Sequence, residues 1–280
     1  MYDTHVHTIP PAGKTVDDYM RMIKINPYAL QHIPNPTEEM KLAALRENGL
    51  VLEFIKDPTR EMQLTALQNK AIRFIPHPSD EFLRRAVRKS WTNLAYIDTP
   101  PEWLIRDALA QSGWAIQYAE SPSEELQLLA VRNTYDAIKY IKKPTPRVQA
   151  EAAAINYMSL RYVAEPTFEA QCIAIQKDEQ AIRLFMNADK KTLLHFLKLN
   201  ILVIRYLPRN KLVSPEELTD VLKDTLSKDD VSEKYVRDFI TCNRIETEYG
   251  WTQIDKLYFV YHYGSRKAKR ITVDEKLKIQ

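Results

Sequence analysis

The chain has 280 residues, 40 of them basic and 37 acidic, for a formal net charge of +3. That near balance excludes a general affinity for polyanions or membrane surfaces and moves any electrostatic role into local patterning. Five glycines are too few for a hairpin-rich or phosphate-cradling chain, and Cys172 and Cys242 are too few for a disulfide framework or a Cys-rich zinc site. A reducing, cytoplasmic setting is therefore expected, and a hydrophobic content of 45% is enough to bury a core.

Residues 1–13 form an N-terminal segment containing Asp3-Thr4-His5-Val6-His7. An H-x-H pair opens metal-dependent amidohydrolase barrels, where it ligates a metal that activates water. No strand–helix alternation follows here to build a barrel, so the segment reads as a disordered or capping end. It lacks the apolar h-region of a signal peptide, and no run approaches the ~18 apolar residues of a membrane span.

From Pro36 onward proline recurs at Pro58, Pro78, Pro100, Pro122, Pro144 and Pro166, in steps of 22, 20, 22, 22, 22 and 22 residues. A fixed period of this size predicts a stack of small units, an α-solenoid, rather than a globular enzyme core. With proline as position 0, position −1 (Asn35, Asp57, Thr99, Ser121) reads as a helix N-cap and proline as the first helical residue. Acids follow at Glu38, Asp80, Glu102 and Glu124, near the positive end of the helix dipole. Each unit thus begins with a helix A.

Position 8 is alanine in seven consecutive units, Ala44, Ala66, Ala86, Ala108, Ala130, Ala152 and Ala174, which predicts a close helix–helix contact. Turn formers follow near position 12 (Asn48–Gly49, Ser112–Gly113, Thr134, Asn156), and then a shorter helix B. Its position 16 is aliphatic, its position 18 mostly aromatic (Phe54, Tyr96, Tyr118, Tyr140, Tyr162, Tyr206), and its position 19 apolar. At 100° per residue these positions share one face, so the aromatics read as core with hydroxyls at the rim. Extending the register both ways makes about nine helix-pair repeats over residues 14–209, with end repeats that lack the proline.

Residues 210–280 break the period. Ser214-Pro215-Glu216-Glu217 predicts a helix start, and residues 230–233 another, ending near Cys242. Alternation at Ile245, Thr247 and Tyr249 and at Leu257, Phe259, Tyr261 and Tyr263, with Gly250 and Gly264 at turns, predicts two or three short strands. The fold class is therefore mainly α, a solenoid with a small α+β C-terminal domain; a winged helix has the same outline.

The columns A-[LV]…N-x-x-A-I-x-Y-I-x-x-P-[ST]-x-E, as in Ala130-Val131…Asp136-Ala137-Ile138-Lys139-Tyr140-Ile141, resemble helical repeats of unknown function found in large bacteriophages, giant viruses and some bacteria. They are also similar to leucine-rich-variant and HEAT-like arrays. The resemblance covers residues 14–209. It implies a non-enzymatic binding scaffold, by analogy viral and directed at a host protein, with no cofactor and no shared catalytic residue.

Function is then expected where the repeat varies. Position 17 lies opposite the apolar face of helix B. It is Gln31, Glu53, Arg73, Ala95 and Gln117 in the first half, and Lys139, Arg161, Arg183 and Arg205 in the second. That row of cations suits an acidic protein partner or a phosphate backbone; it also fits a plain solvated face. Arg266, Lys267, Lys269 and Arg270 follow the aromatics Tyr258, Phe259, Tyr261 and Tyr263. Such a cluster suits single-stranded nucleic acid or a strand edge kept soluble by charge. Trp91, Trp103 and Trp114 gather in repeats four and five, as a partner contact would. Cys172 stands where other repeats have leucine and reads as a small core residue. No catalytic triad, P-loop, carboxylate pair or metal set stands out. The reading is a protein-binding scaffold, with a nucleic-acid binder as the alternative; neither membrane association nor enzymatic activity is expected, and oligomeric state is open.

Overall fold

The computed structural model describes residues 13–67, 71–75, 78–207, 213–243, 245 and 254–278. The chain is mainly helical, and among the described residues there is no strand. It divides into two compact bodies, with the boundary in sequence between Pro122 and Ser123.

Every repeat pairs an α-helix with a short 3₁₀ helix. In the N-terminal body the pairs are α1 Val16–Ile25 with Pro27–His32, α2 Glu38–Glu47 with Gly49–Phe54, and α3 Arg60–Ala66 with Ala71–Phe74. Then come α4 Asp80–Lys89 with Trp91–Tyr96 and α5 Glu102–Leu109 with Gly113–Tyr118. In the C-terminal body they are α6 Glu124–Asn133 with Tyr135–Tyr140, α7 Pro146–Ile155 with Tyr157–Tyr162, α8 Phe168–Lys177 with Glu179–Leu184, and α9 Lys190–Leu199 with Ile201–Arg205. Within the N-terminal body α1 packs on α2, α2 on α3 and α4 on α5; within the C-terminal body α6 through α9 pack in succession. The 3₁₀ B helices likewise pack in succession within each body.

The helix starts sit two residues later than the proline beat implies. The N-cap is the residue after the proline, not the one before it. Thr37, Thr59, Ser79, Ser123, Thr145 and Thr167 each accept the N–H three residues on. Those hydroxyls satisfy donors that the first turn leaves unpaired. Proline, with no N–H to give, ends the extended linker just outside the helix. Pro101 takes the cap position in repeat 5 and offers no side-chain bond. Asn35, one of the residues expected to cap, instead adopts a left-handed conformation at φ 49°, which asparagine tolerates.

The alanine column is where the repeats close up. All seven alanines have 0% exposure. The carbonyls of Ala44, Ala86, Ala108, Ala130, Ala152 and Ala174 accept the N–H at the A–B turn, as in Asn48 to Ala44 and Asn156 to Ala152, both 2.9 Å. Gly49 shows how near the next repeat comes: a Cβ there would lie 2.3 Å from the carbonyl oxygen of Ala66. Position 12 caps the B helix. Asn48, Ser90, Ser112, Asn156, Asp178 and Asn200 each accept the N–H two residues on.

Glutamine at position 5 of four repeats ties helix A to its own linker, to the next repeat, or to both. Gln149 Nε2 donates to the Pro144 carbonyl at 3.0 Å, while its Oε1 accepts the Thr167 N–H at 2.9 Å. Gln63 and Gln171 bond Pro58 and Pro166 in the same way, and Gln127 accepts from Thr145. Buried amides so fully used stabilise one register and penalise slippage. Asn200 adds a further tie, donating to the Ile175 carbonyl at 2.9 Å.

Beyond residue 213 the helices α10 Pro215–Leu226 and α11 Glu233–Thr241 form where expected. Pro215 is at a true first helical position, behind a Ser214–Glu217 capping box. The expected strand over 257–263 is instead a helix, α12 Lys256–Tyr263, followed by α13 Arg266–Leu277. Asp255 caps α12 by accepting the Tyr258 N–H. The buried residues Lys256, Phe259 and Val260 follow helical spacing. Tertiary burial of that face outweighs the aromatic strand propensity. Thr247, Tyr249 and Gly250 lie outside the described residues. α10 packs on α9, and α11 on the B helix of repeat 9, so these helices share a continuous core with repeats 7–9. The Tyr235 hydroxyl donates to the Leu197 carbonyl at 3.0 Å inside it.

Candidate functional site: a row of cations seated on tyrosines

A 3₁₀ helix turns about 120° per residue. With positions 15 and 16 buried, position 17 then points directly away from the core, and position 18 falls about 60° from the centre of the buried face, at its edge. Gln31, Glu53, Ala95, Gln117, Lys139, Arg161, Arg183 and Arg205 are accordingly exposed; the Arg73 side chain lies outside the described residues. The position-18 aromatics are not core. Phe54, Tyr140 and Tyr162 are 38%, 39% and 43% exposed, and Tyr96, Tyr118 and Tyr206 are half-buried. They were expected to be core; each instead sits at the rim of the buried face with its ring reaching solvent.

Cations and rings therefore alternate along the B helices of the C-terminal body. The Lys139 ammonium lies 5.0 Å from the Tyr140 ring centroid and 6.0 Å from that of Tyr162. The Arg161 guanidinium lies 5.3 Å over Tyr162, and Arg183 4.9 Å over Tyr206. Lys139 also donates to Asp136 at 2.9 Å, which holds its ammonium above the usual lysine range. Among the described residues Arg161 and Arg183 have no carboxylate partner. A guanidinium stacked on a ring keeps its N–H edge free for a planar acid and is already ordered for it.

On the helix A surface, several charges are instead paired between repeats. Arg132 bonds Glu151 at 2.8 Å, Arg147 approaches Glu124 at 3.5 Å, and Arg84 meets Asp107 at 3.4 Å. Arg60 pairs with Glu81. Lys190–Glu217 at 2.8 Å and Lys198–Asp224 at 2.6 Å carry the pattern into α10. A groove of about 770 Å³ between α9 and α10, floored by Phe168, Leu194 and Val221, is rimmed by these pairs.

Arg266, Lys267, Lys269 and Arg270 lie on α13, not on a strand or charged turn. Arg266, Lys269 and Arg270 are exposed and Lys267 is half-exposed. Lys269 lies 5.7 Å over Tyr261. Cations in the first turns of a helix oppose its dipole, so the helix end does not account for this cluster.

The tryptophans have separate settings. Trp103, on α5, lies under the Arg84 guanidinium at 4.6 Å. Trp91 is half-buried at 6.4 Å from the Tyr118 ring, and Trp114 is 39% exposed. Cys172 is half-buried against the core, where burial pushes its thiol up. His5 and His7 lie outside the described residues. Among those described, no three His, Cys, Asp or Glu side chains gather to hold a metal ion, and no helix is long and apolar enough to cross a membrane.

Two features were missed in the sequence: the tyrosine half of the row and the glutamine column. The second had a signal, since glutamine recurs at position 5 in Gln63, Gln127, Gln149 and Gln171. Comparison with protein-family models, curated proteins and solved structures gave no match.

Proposed function

We propose that the chain is a non-enzymatic scaffold in which the helix pairs act as an α-solenoid. Its working surface is the cation–tyrosine row of repeats 6–9, and its ligand is an acidic segment of a protein partner. The observation that carries this reading is the pair Arg161 and Arg183: exposed, stacked on tyrosine, and without a carboxylate partner among the described residues. On helix A, by contrast, Arg60, Arg84, Arg132 and Arg147 are matched with acids across repeats. Arginine and tyrosine are also the residue types that dominate protein-binding hot spots. The resemblance of the 22-residue columns to phage and giant-virus repeats makes a host protein the expected class of partner.

A second reading, a single-stranded nucleic acid, is favoured by one further observation. The same body carries a second set of cations beside exposed rings, Lys269 over Tyr261 with Arg266 and Arg270 nearby in sequence. Stacking and charge together suit such a strand.

Fluorescence anisotropy of a labelled glutamate-rich peptide and a labelled oligothymidylate, each against the native protein and the double variant Arg161→Glu/Arg183→Glu, separates the readings. The scaffold reading expects the peptide to bind and the double variant to lose it. Tighter binding of the oligonucleotide, with affinity falling by about 0.7 in log units per phosphate contact for each log unit of salt, transfers the row to the second reading. Unchanged binding by the double variant removes the row from both.

A further inference from the structure

A groove of about 550 Å³ runs between α10 and α12. One wall is aromatic, with Tyr258 and Tyr263 at its surface and 60% and 43% exposed. The other wall, on α10, carries Glu216, Asp220 and Lys223; Asp255 closes the end beside Tyr258. Three carboxylates against one ammonium leave the lining at a net −2. The ammonium is already seated on a ring, with Lys223 Nζ 4.5 Å from the Tyr263 centroid. The protein's own side chain thus shows that this ring accepts a cation.

The rest of the groove has the same chemistry without a cation of its own. Ring faces attract positive charge through their quadrupole, and most strongly a cation that gives up its water easily. A bare metal ion needs converging oxygen ligands, and no such group is present among the described residues. A trimethylated, quaternary ammonium is weakly hydrated, has no hydrogen bonds to lose, and fits ring faces backed by negative charge. From this we infer that the α10–α12 groove binds a methylated ammonium group, next to Lys223, which acts as an internal competitor for the Tyr263 ring. This site is independent of the cation–tyrosine row and has the opposite charge preference.

The test is an NMR titration of ring-labelled tyrosine with choline, with its neutral isostere 3,3-dimethylbutan-1-ol, and with a peptide carrying trimethyllysine. Saturable shifts at Tyr258 and Tyr263 are expected for the two cations and not for the alcohol. Tyr263→Leu should weaken binding about fivefold, the weight of a partly exposed cation–π contact. Lys223→Met, which keeps the apolar stem but removes the competing charge, should tighten binding by a similar factor. That gain remains readable even if Tyr263→Leu perturbs packing. Peptide binding tighter than choline supports a modified protein side chain as the source, and equal binding supports a free small cation. Equal shifts with the alcohol, no saturation in either protein, or no gain from Lys223→Met overturns the assignment.

Discussion

Gly49→Ala is the sharpest test of how closely the repeats stack. The new Cβ would lie 2.3 Å from the Ala66 carbonyl oxygen and 3.0 Å from its Cα, whereas ordinary contact begins at 3.4 Å. About 1.1 Å of separation must be found, and the obstacle is the backbone of α3, which cannot rotate aside. Overpacking of this kind costs about 1–3 kcal/mol, with the upper end expected against backbone. Restricting the unfolded chain returns about 0.4–1 kcal/mol. The net expectation is a loss of about 2 kcal/mol, which at a urea slope of about 2 kcal/mol per molar lowers the midpoint by about 1 M. Hydrogen exchange should place the loss in repeats 2 and 3. Asn48→Ala is the control, since it removes the neighbouring cap and adds no bulk. A midpoint unchanged or raised in Gly49→Ala would refute the close approach at the alanine column.

Three further outcomes follow from the same structure. Ser159 is fully buried, and its hydroxyl has no hydrogen-bond partner among the described residues, while Ala115, Ala137 and Ala181 hold the equivalent position. Ser159→Ala should therefore raise stability by about 1 kcal/mol in urea unfolding; a lower midpoint would mean that the hydroxyl is satisfied. Burial holds the Tyr235 phenol far above its usual range, so its contribution is complete below about pH 10 and lost as pH rises beyond that. Tyr235→Phe should cost about 1–3 kcal/mol at pH 7 by stranding the Leu197 carbonyl and should flatten the alkaline limb of stability followed by circular dichroism. Glu217 is held below the usual carboxylate range by Lys190 and by the Ser214 N–H, and Asp224 by Lys198. Their contribution is present above about pH 4.5 and lost as pH falls through the lower folded values. Glu217→Gln should flatten the stability profile between about pH 5 and pH 3, and an unchanged acid limb would show the pair to be inert.

The helix pairs were legible because their signals are local and repeated. Proline punctuates the linker, turn formers near position 12 separate helix A from helix B, and seven alanines mark one contact, although the helix A cap lies after the proline and not before it. Each acts within a few residues of itself, so the chain spells them out. The outward setting of position 17 was legible for the same reason, since both a 3₁₀ and an α-helical turn place it away from positions 15 and 16.

Other features required the fold. How much of each position-18 ring is covered depends on what the neighbouring repeats place over it, and that decided whether Tyr140, Tyr162 and Tyr206 were core or surface. The alternation Leu257, Phe259, Tyr261, Tyr263 satisfies a strand as written, yet burial of Lys256, Phe259 and Val260 against α10 and α11 makes it a helix. The seating of Arg183 on Tyr206, and the matching of helix A charges across repeats, join residues about 20 positions apart. The amino-acid order determines the repeat, its caps and its period. Only the stacking decides which cations find an acid, which find a ring, and so which surface is left for a ligand.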